Sequence, residues 1–188
     1  DLGALSMFFD IAIATEDWAK AEELVATITQ SDPYIGLLSE GHLKAARGQW
    51  DDAVDRLEKY LVQRPVSVLG HLGLGRAYAQ LGQDKKAIEQ VSLAVTQDST
   101  HEMANRVLMQ LLHNRNLRIG LDNLNAEQLR GIILPLDATL GRNPNDLQAR
   151  RLQLIYYPLW ISMETQRQAA LDMTEQERKL AENQMARV

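Results

Sequence analysis

Apolar residues recur along this chain at intervals of three and four, the spacing of one face of an α-helix, and no segment shows the strict alternation of a strand. The pattern is clearest over 68–101. There Leu69, Leu72, Leu74, Ala77, Tyr78 and Leu81 mark one helix, and Gly82 stops it by permitting a left-handed residue beyond the last turn. Ala87, Ile88, Val91, Ala94 and Val95 then mark a second helix that ends before Asp98-Ser99. The preceding stretch repeats this plan, with Gly48 as the stop between its helices and Pro65 as its closing punctuation. Connections this short make paired helices antiparallel.

The flanking sequence continues the plan less regularly. Upstream, 5–14 and 18–28 read as a helix pair closed by Asp32-Pro33. Downstream, Ser99-Thr100-His101-Glu102 fits a capping box, which predicts a helix from there to about His113. Residues 114–125 read as a longer connection, and 126–140 as a helix kinked at Pro135. Asn145 offers a cap for a helix to Tyr157, and Pro158 marks a kink or break before a polar, helix-favouring tail to Val188.

Sliding 34–67 over 68–101 without a gap pairs Gly36 with Gly70, Leu38 with Leu72, Gly41 with Gly75, Ala45 with Ala79 and Gly48 with Gly82. Gln49 with Gln83, Ala53 with Ala87 and Gln63 with Gln97 bring the identities to eight, where roughly two would arise by chance. The chain is therefore built on a 34-residue repeat.

Those residues resemble the tetratricopeptide repeat family, whose signature has Trp, Leu-Gly and Tyr in the first helix, Ala and Phe in the second, and a closing Pro. The stretch 68–101 is similar through Leu74-Gly75, Tyr78, Gly82, Ala87, Val91 and Ala94, with His71 in place of the Trp and Ser99 in place of the Pro. The stretch 34–67 is similar through Leu37, Gly41, Gly48, Ala53, Leu57 and Pro65, with Glu40 and Lys44 where the family has Leu and Tyr. The resemblance implies an all-α, right-handed solenoid of antiparallel helix pairs with about four to five repeats. It divides the chain into a helix pair at 1–33, repeats at 34–67 and 68–101, a degenerate repeat with a long inter-helix loop at 102–144, and terminal helices, a candidate cap, at 145–188.

In the family the first helix of each pair lines a concave surface that holds an extended or helical segment. The resemblance thus points to His42, Arg76 and Gln110 just after the motif glycine position, to Leu38, Leu72 and Arg106 three before it, and to Gln80 and Asn114 five after it. The implied groove is apolar at one end and polar to weakly basic at the other. One subclass grips the terminal carboxylate of chaperone peptides with Lys, Asn and Arg. The corresponding places here are Leu38, His42, Leu69 and Gly73, so no such clamp is implied.

Charge sharpens this picture. The net charge of −5 is concentrated at the start, where 1–33 hold seven acids and one base, while the two clearest repeats are each neutral. No region is basic enough to bind a phosphate backbone, which argues against nucleic acid as a partner. No apolar run approaches the roughly 18 residues of a membrane span, so no membrane insertion is expected. The start, Asp1-Leu2-Gly3, lacks Met and a basic leader and reads as that of a mature or excised segment.

Candidate chemistry is sparse. With no cysteine, thiolate nucleophiles and Cys-based zinc sites are excluded. His42, His71, His101 and His113 lack metal-ligand spacing and read as structural. Gly70, Gly73 and Gly75 mimic a phosphate loop but follow no strand and precede no Gly-Lys-Ser/Thr. Asp51-Asp52 and Glu22-Glu23 sit near helix starts, where they complement the helix dipole. Within Tyr156-Tyr157-Pro158-Leu159-Trp160 the aromatics read as core rather than as an exposed anchor. No catalytic group, cofactor or metal is expected.

The sequence thus predicts a non-enzymatic interaction scaffold binding a protein or peptide, compatible with a bacterial cytoplasm or periplasm. Self-association, or stacking with further repeats in an envelope assembly for secretion or polysaccharide export, is the second reading. An accessory region of an enzyme whose catalytic domain lies outside this segment is the third.

Overall fold

The computed structural model describes residues 1–185. Among them are nine α-helices and one 3-10 turn: α1 (Leu2–Ala14), α2 (Trp18–Ser31), α3 (Pro33–Ala46), α4 (Trp50–Gln63), α5 (Val68–Gln80), α6 (Asp84–Gln97), α7 (Glu102–Ile119), the turn Leu121–Asn123, α8 (Ala126–Arg142) and α9 (Leu147–Met185). The described residues contain no strand. Two compact units result, Asp1–Arg115 and Asn116–Val188, and α7 begins in the first and ends in the second.

The first unit is a solenoid of helix pairs in which each helix from α1 to α5 packs on the next. Each pair turns in the same way. The helix ends at Thr15, Arg47 or Leu81, and the following residue, Glu16, Gly48 or Gly82, is left-handed with φ of 56°, 73° or 70°. The next amide then reaches back five residues, Asp17 to Ala12, Gln49 to Lys44 and Gln83 to Tyr78, each at 2.9 Å. Glu16 performs this turn without glycine's freedom, a conformation that costs about 1–2 kcal/mol in a residue with a Cβ.

Within a pair, small residues on the first helix receive large ones from the second. A Cβ on Gly41 would lie 2.6 Å from Leu57 Cγ, and one on Gly75 would lie 2.4 Å from Val91 Cγ2. Both contacts occur at the same repeat position, and Leu57 and Val91 are wholly buried together with Ala53 and Ala87. Between pairs, Gly36 lies against Thr29, and Gly70 against Tyr60 and Leu61.

The first pair is two residues shorter than the repeat that follows. Trp18 begins α2 and Trp50 begins α4, a spacing of 32, whereas α4 to α6 keeps 34. The cause is Asp32. Its amide closes α2 on the Ile28 carbonyl at 2.8 Å, and its carboxylate opens α3 by accepting from Tyr34 N and Ile35 N. Pro33 follows directly as the first residue of α3, where its missing N–H costs nothing. The acids at this end are partly neutralised: Asp17 caps α2 through Lys20 N, Glu23 pairs with Lys20 at 2.8 Å, and Glu22 pairs with Arg47 at 2.6 Å.

Three local expectations change. Helix α7 starts at Glu102 without the Ser99 capping box. Asp98 binds Thr100 through both N–H and hydroxyl, which carries the chain one turn further, and His101 Nδ1 then caps Ala104 N at 3.2 Å. The helix also runs to Ile119 instead of stopping near His113, because Leu112 and Asn116 continue its buried face. The connection shrinks accordingly to Gly120–Asn125. Finally, α9 passes through Pro158 unbroken. Pro158 and Leu154 one turn earlier are both exposed, so the carbonyl that proline leaves without a donor belongs to a residue at the surface rather than in the core.

In the second unit α8 packs on α9. An Asn125–Gln128 capping box opens α8, which continues through Pro135 and buries Leu129, Ile132 and Leu136. Asp146, rather than Asn145, caps α9 by accepting from Ala149 N at 2.9 Å. Ala149, Leu152 and Tyr156 are buried on α9, Tyr156 completely, while Tyr157 is half-buried and donates to Asp137. Trp160 is half-buried. Residues 186–188 of the terminal segment expected at 145–188 lie outside the described residues.

Candidate functional site

The first helices of successive pairs, α1, α3 and α5, touch one another and, with the start of α7, line two adjoining cavities of the first unit. The first, of about 500 Å³, has largely apolar walls from Phe9, Ile13, Leu69, Leu72 and Met103, with Asp10, His42, Arg76 and His101 among them. The second, of about 410 Å³, is polar, lined by Asp84, Arg106, Gln110 and Asn114 together with Val107 and Leu111. Arg76, Gln80 and Met103 line both.

Four of these residues occupy one repeat position. Asp10, His42, Arg76 and Gln110 follow one another at the spacing of the repeat, the first step shortened with its pair, so consecutive first helices present an acid, an imidazole, a guanidinium and an amide in a row. The neighbours in this row act on each other. Burial pushes the His42 imidazole below its ordinary value, a backbone hydrogen bond at Leu69 and the Asp10 charge pull it up, and Arg76 adds to the downward push. The half-buried ring sits where it does because residue 73 is glycine: a Cβ there would be 2.8 Å from His42 Nε2. At neutral pH the uncharged His42 leaves Arg76 as the cation of this stretch. Arg76 is exposed and makes no ion pair among the described residues, whereas Arg106 is held by Glu102 at 2.9 Å.

The structure brings His42, Leu72, Arg76 and Gln80 to the first cavity and Arg76, Gln80, Arg106, Gln110 and Asn114 to the second. Leu38 is placed differently from the expectation. It is buried with Leu57, Tyr60 and Leu74 in the core behind the groove and lines neither cavity, because α3 turns that face toward α4 and α5. Asp10 and Met103 join the lining although the family resemblance does not point to them, and so does Leu69, which the resemblance marks only as a place without the clamp's polar residue. Leu69 and Met103 are half exposed and share one repeat position, so the register carries a signal for them. Asp10 escapes a strict register because the first pair is shorter.

The other histidines have structural partners. His71 is buried, with Nε2 3.0 Å from the Pro65 carbonyl and Nδ1 2.8 Å from the Gln90 side-chain amide. Among the described residues no three His, Asp or Glu side chains cluster as metal ligands. No helix of the described residues is long and apolar enough to cross a membrane.

The sequence profile of the tetratricopeptide repeat family matches residues 38–102, from within α3 to the start of α7. Residues 38–102 are tetratricopeptide repeats. The departures from the family's signature thus fall inside true repeats, His71 and Lys44 included. No curated protein matches the chain. Among solved structures, MamA shares 19% identity over 91% of this chain and 96% of its own, with a TM-score of 0.61. The first tetratricopeptide repeat domain of Spaghetti, bound to an HSP90 peptide, matches 67% of this chain and 92% of its own at 19% identity, TM-score 0.53. The Yersinia enterocolitica secretion chaperone SycD, in complex with a peptide of the translocator YopD, matches 72% and 95% at 16% identity, TM-score 0.50. At these identities the likeness is one of fold, an all-α solenoid of helix pairs. Two of these three structures contain a peptide.

Proposed function

We propose that this chain is a non-enzymatic interaction scaffold whose groove along α1, α3, α5 and α7 holds a peptide or a segment of a protein. The observation that carries this reading is Arg76. An exposed guanidinium, without an ion pair among the described residues, stands where the apolar cavity passes into the polar one. A segment that puts an apolar side chain against Leu69, Leu72 and Met103 and an acidic group one or two residues later on Arg76 would use both halves. Gln80, Gln110 and Asn114 then offer amides to its backbone, as extended segments require. The peptide-bound neighbours support the general reading and say nothing of this partner's sequence.

The test is a fluorescence-anisotropy screen of tagged peptides in which an apolar residue is followed by Glu or Lys. Glu-containing peptides are expected to bind, and Arg76→Ala to weaken them about tenfold, the size of one charge-assisted contact. Gln110→Ala should weaken binding less. Affinity unchanged in the Arg76→Ala, Gln110→Ala double variant would reject this groove.

A further inference from the structure

Repeat register exposes a second surface. In α3 the face carrying Gly36 and Leu43 is buried under α2, and in α5 the face carrying Gly70 and Leu74 is buried under α4. The same register positions on α1 are Ala4, Phe8 and Ile11, with Met7 beside Phe8. No helix of the described residues covers them: Met7, Phe8 and Ile11 are 65%, 57% and 52% exposed. Such a cluster is far more apolar than a solvated helix face needs to be. Asp1 and Asp10 flank it, and α1 carries no basic side chain.

A complementary face exists on α9. Leu147, Leu154 and Ile161 recur every seven residues on its surface and are 78%, 78% and 61% exposed. Seven-residue spacing keeps apolar side chains in one seam facing a partner helix. Arg150 and Arg151 are exposed beside this seam, and 147–161 contain no acid. One face is apolar with acidic flanks, the other apolar with basic flanks.

We propose that the α1 face of one molecule docks on the α9 seam of a second copy, so that the chain self-associates head to tail. The α9 seam takes the place that a second helix of the preceding pair holds over α3 and α5. Like charge disfavours the alternative of two α1 faces meeting, since 1–33 hold seven acids against one base. A heterologous contact of this kind does not stop at a dimer unless it closes into a ring. A single helix-on-helix contact buries less than a standard interface, so the association is concentration-dependent.

Sedimentation velocity of residues 1–188 tests this directly. The average mass is expected to rise with concentration past the dimer and to fall on going from about 0.05 to 0.5 M salt, where screening shortens to a few ångströms. Phe8→Glu and Leu154→Glu, both at exposed positions, should each give monomers with unchanged helical circular dichroism. An equimolar mixture of the two should give dimers, because each variant retains the face that the other lacks. A monomer at all concentrations would overturn the proposal. So would association unaffected by either variant, or association abolished by Phe8→Glu and untouched by Leu154→Glu.

Discussion

His71 donates from Nε2 to the carbonyl of Pro65, six residues earlier, at 3.0 Å, and one repeat later Asn105 donates from Nδ2 to the carbonyl of Ser99 at 2.9 Å. The two donors share one repeat position, as do the two acceptors. Both side chains are buried at the position where the family's signature has Trp. Each ties the loop between two pairs to the helix that follows it. A packing position has here become a hydrogen-bonding one, with His and Asn as interchangeable solutions.

Replacing His71 by Ala removes the ring's contacts with Pro65 and Gln90 and should cost about 1–3 kcal/mol. His71→Asn should cost less, since Asn makes this bond at 105. Urea unfolding of the three proteins checks both the loss and the order.

Gly75→Ala should destabilise by about 1–3 kcal/mol, because its methyl would lie 2.4 Å from Val91 Cγ2 and 3.1 Å from the Ala87 carbonyl. Adding Val91→Ala removes the first clash and should recover part of the loss. Gly131→Ala, in the interior of α8 with open space around it, should instead stabilise by about 0.5–1 kcal/mol. Thermal melts of the separate variants distinguish the two situations.

Stability at high pH depends on Tyr78. Burial, together with its 2.5 Å hydrogen bond to Glu58, pushes the phenol up to about 12. An unfolded tyrosine ionises near 10, so between about 10 and 12 the unfolded chain releases a proton that the folded one keeps. The contribution is therefore full below 10 and is lost as pH rises through that window. The urea midpoint should fall over this range, and Tyr78→Phe should flatten the fall.

On the acid side, His42 and His113 are both pushed down by burial. An unfolded histidine binds its proton near pH 6.5, so their stability is full above that value and is lost as pH falls through the lowered folded values. The slope from one such group cannot exceed about 1.4 kcal/mol per pH unit. His42→Gln should reduce the difference in urea midpoint between pH 7 and pH 5, leaving the share due to His113.

Much of the groove was legible because the repeat is legible. His42, Arg76 and Gln110 share one position, and counting by the repeat period finds them without coordinates. Leu38 and Leu72 show where counting fails. Both are Leu at one position, yet Leu72 reaches the first cavity and Leu38 lies behind the groove, since neighbouring helices cover the two differently. The caps near residues 99 and 145 differ from the expected ones because several polar side chains could cap each helix and only the folded turn selects one.

By itself the amino-acid order determined the helix pairs, their left-handed stops at Gly48 and Gly82, and the period of the repeat. These depend on local geometry: a fixed number of residues per helical turn, a backbone that turns most easily at glycine, and side chains that repeat in step with both. Tertiary structure alone decided that Asp32 shortens the first repeat and brings Asp10 into line with His42 and Arg76. It also decided that α7 continues past His113 and that Met7, Phe8 and Ile11 remain uncovered. A helix's pattern states which face is apolar, but which neighbour covers that face is settled by contacts between residues far apart in the chain.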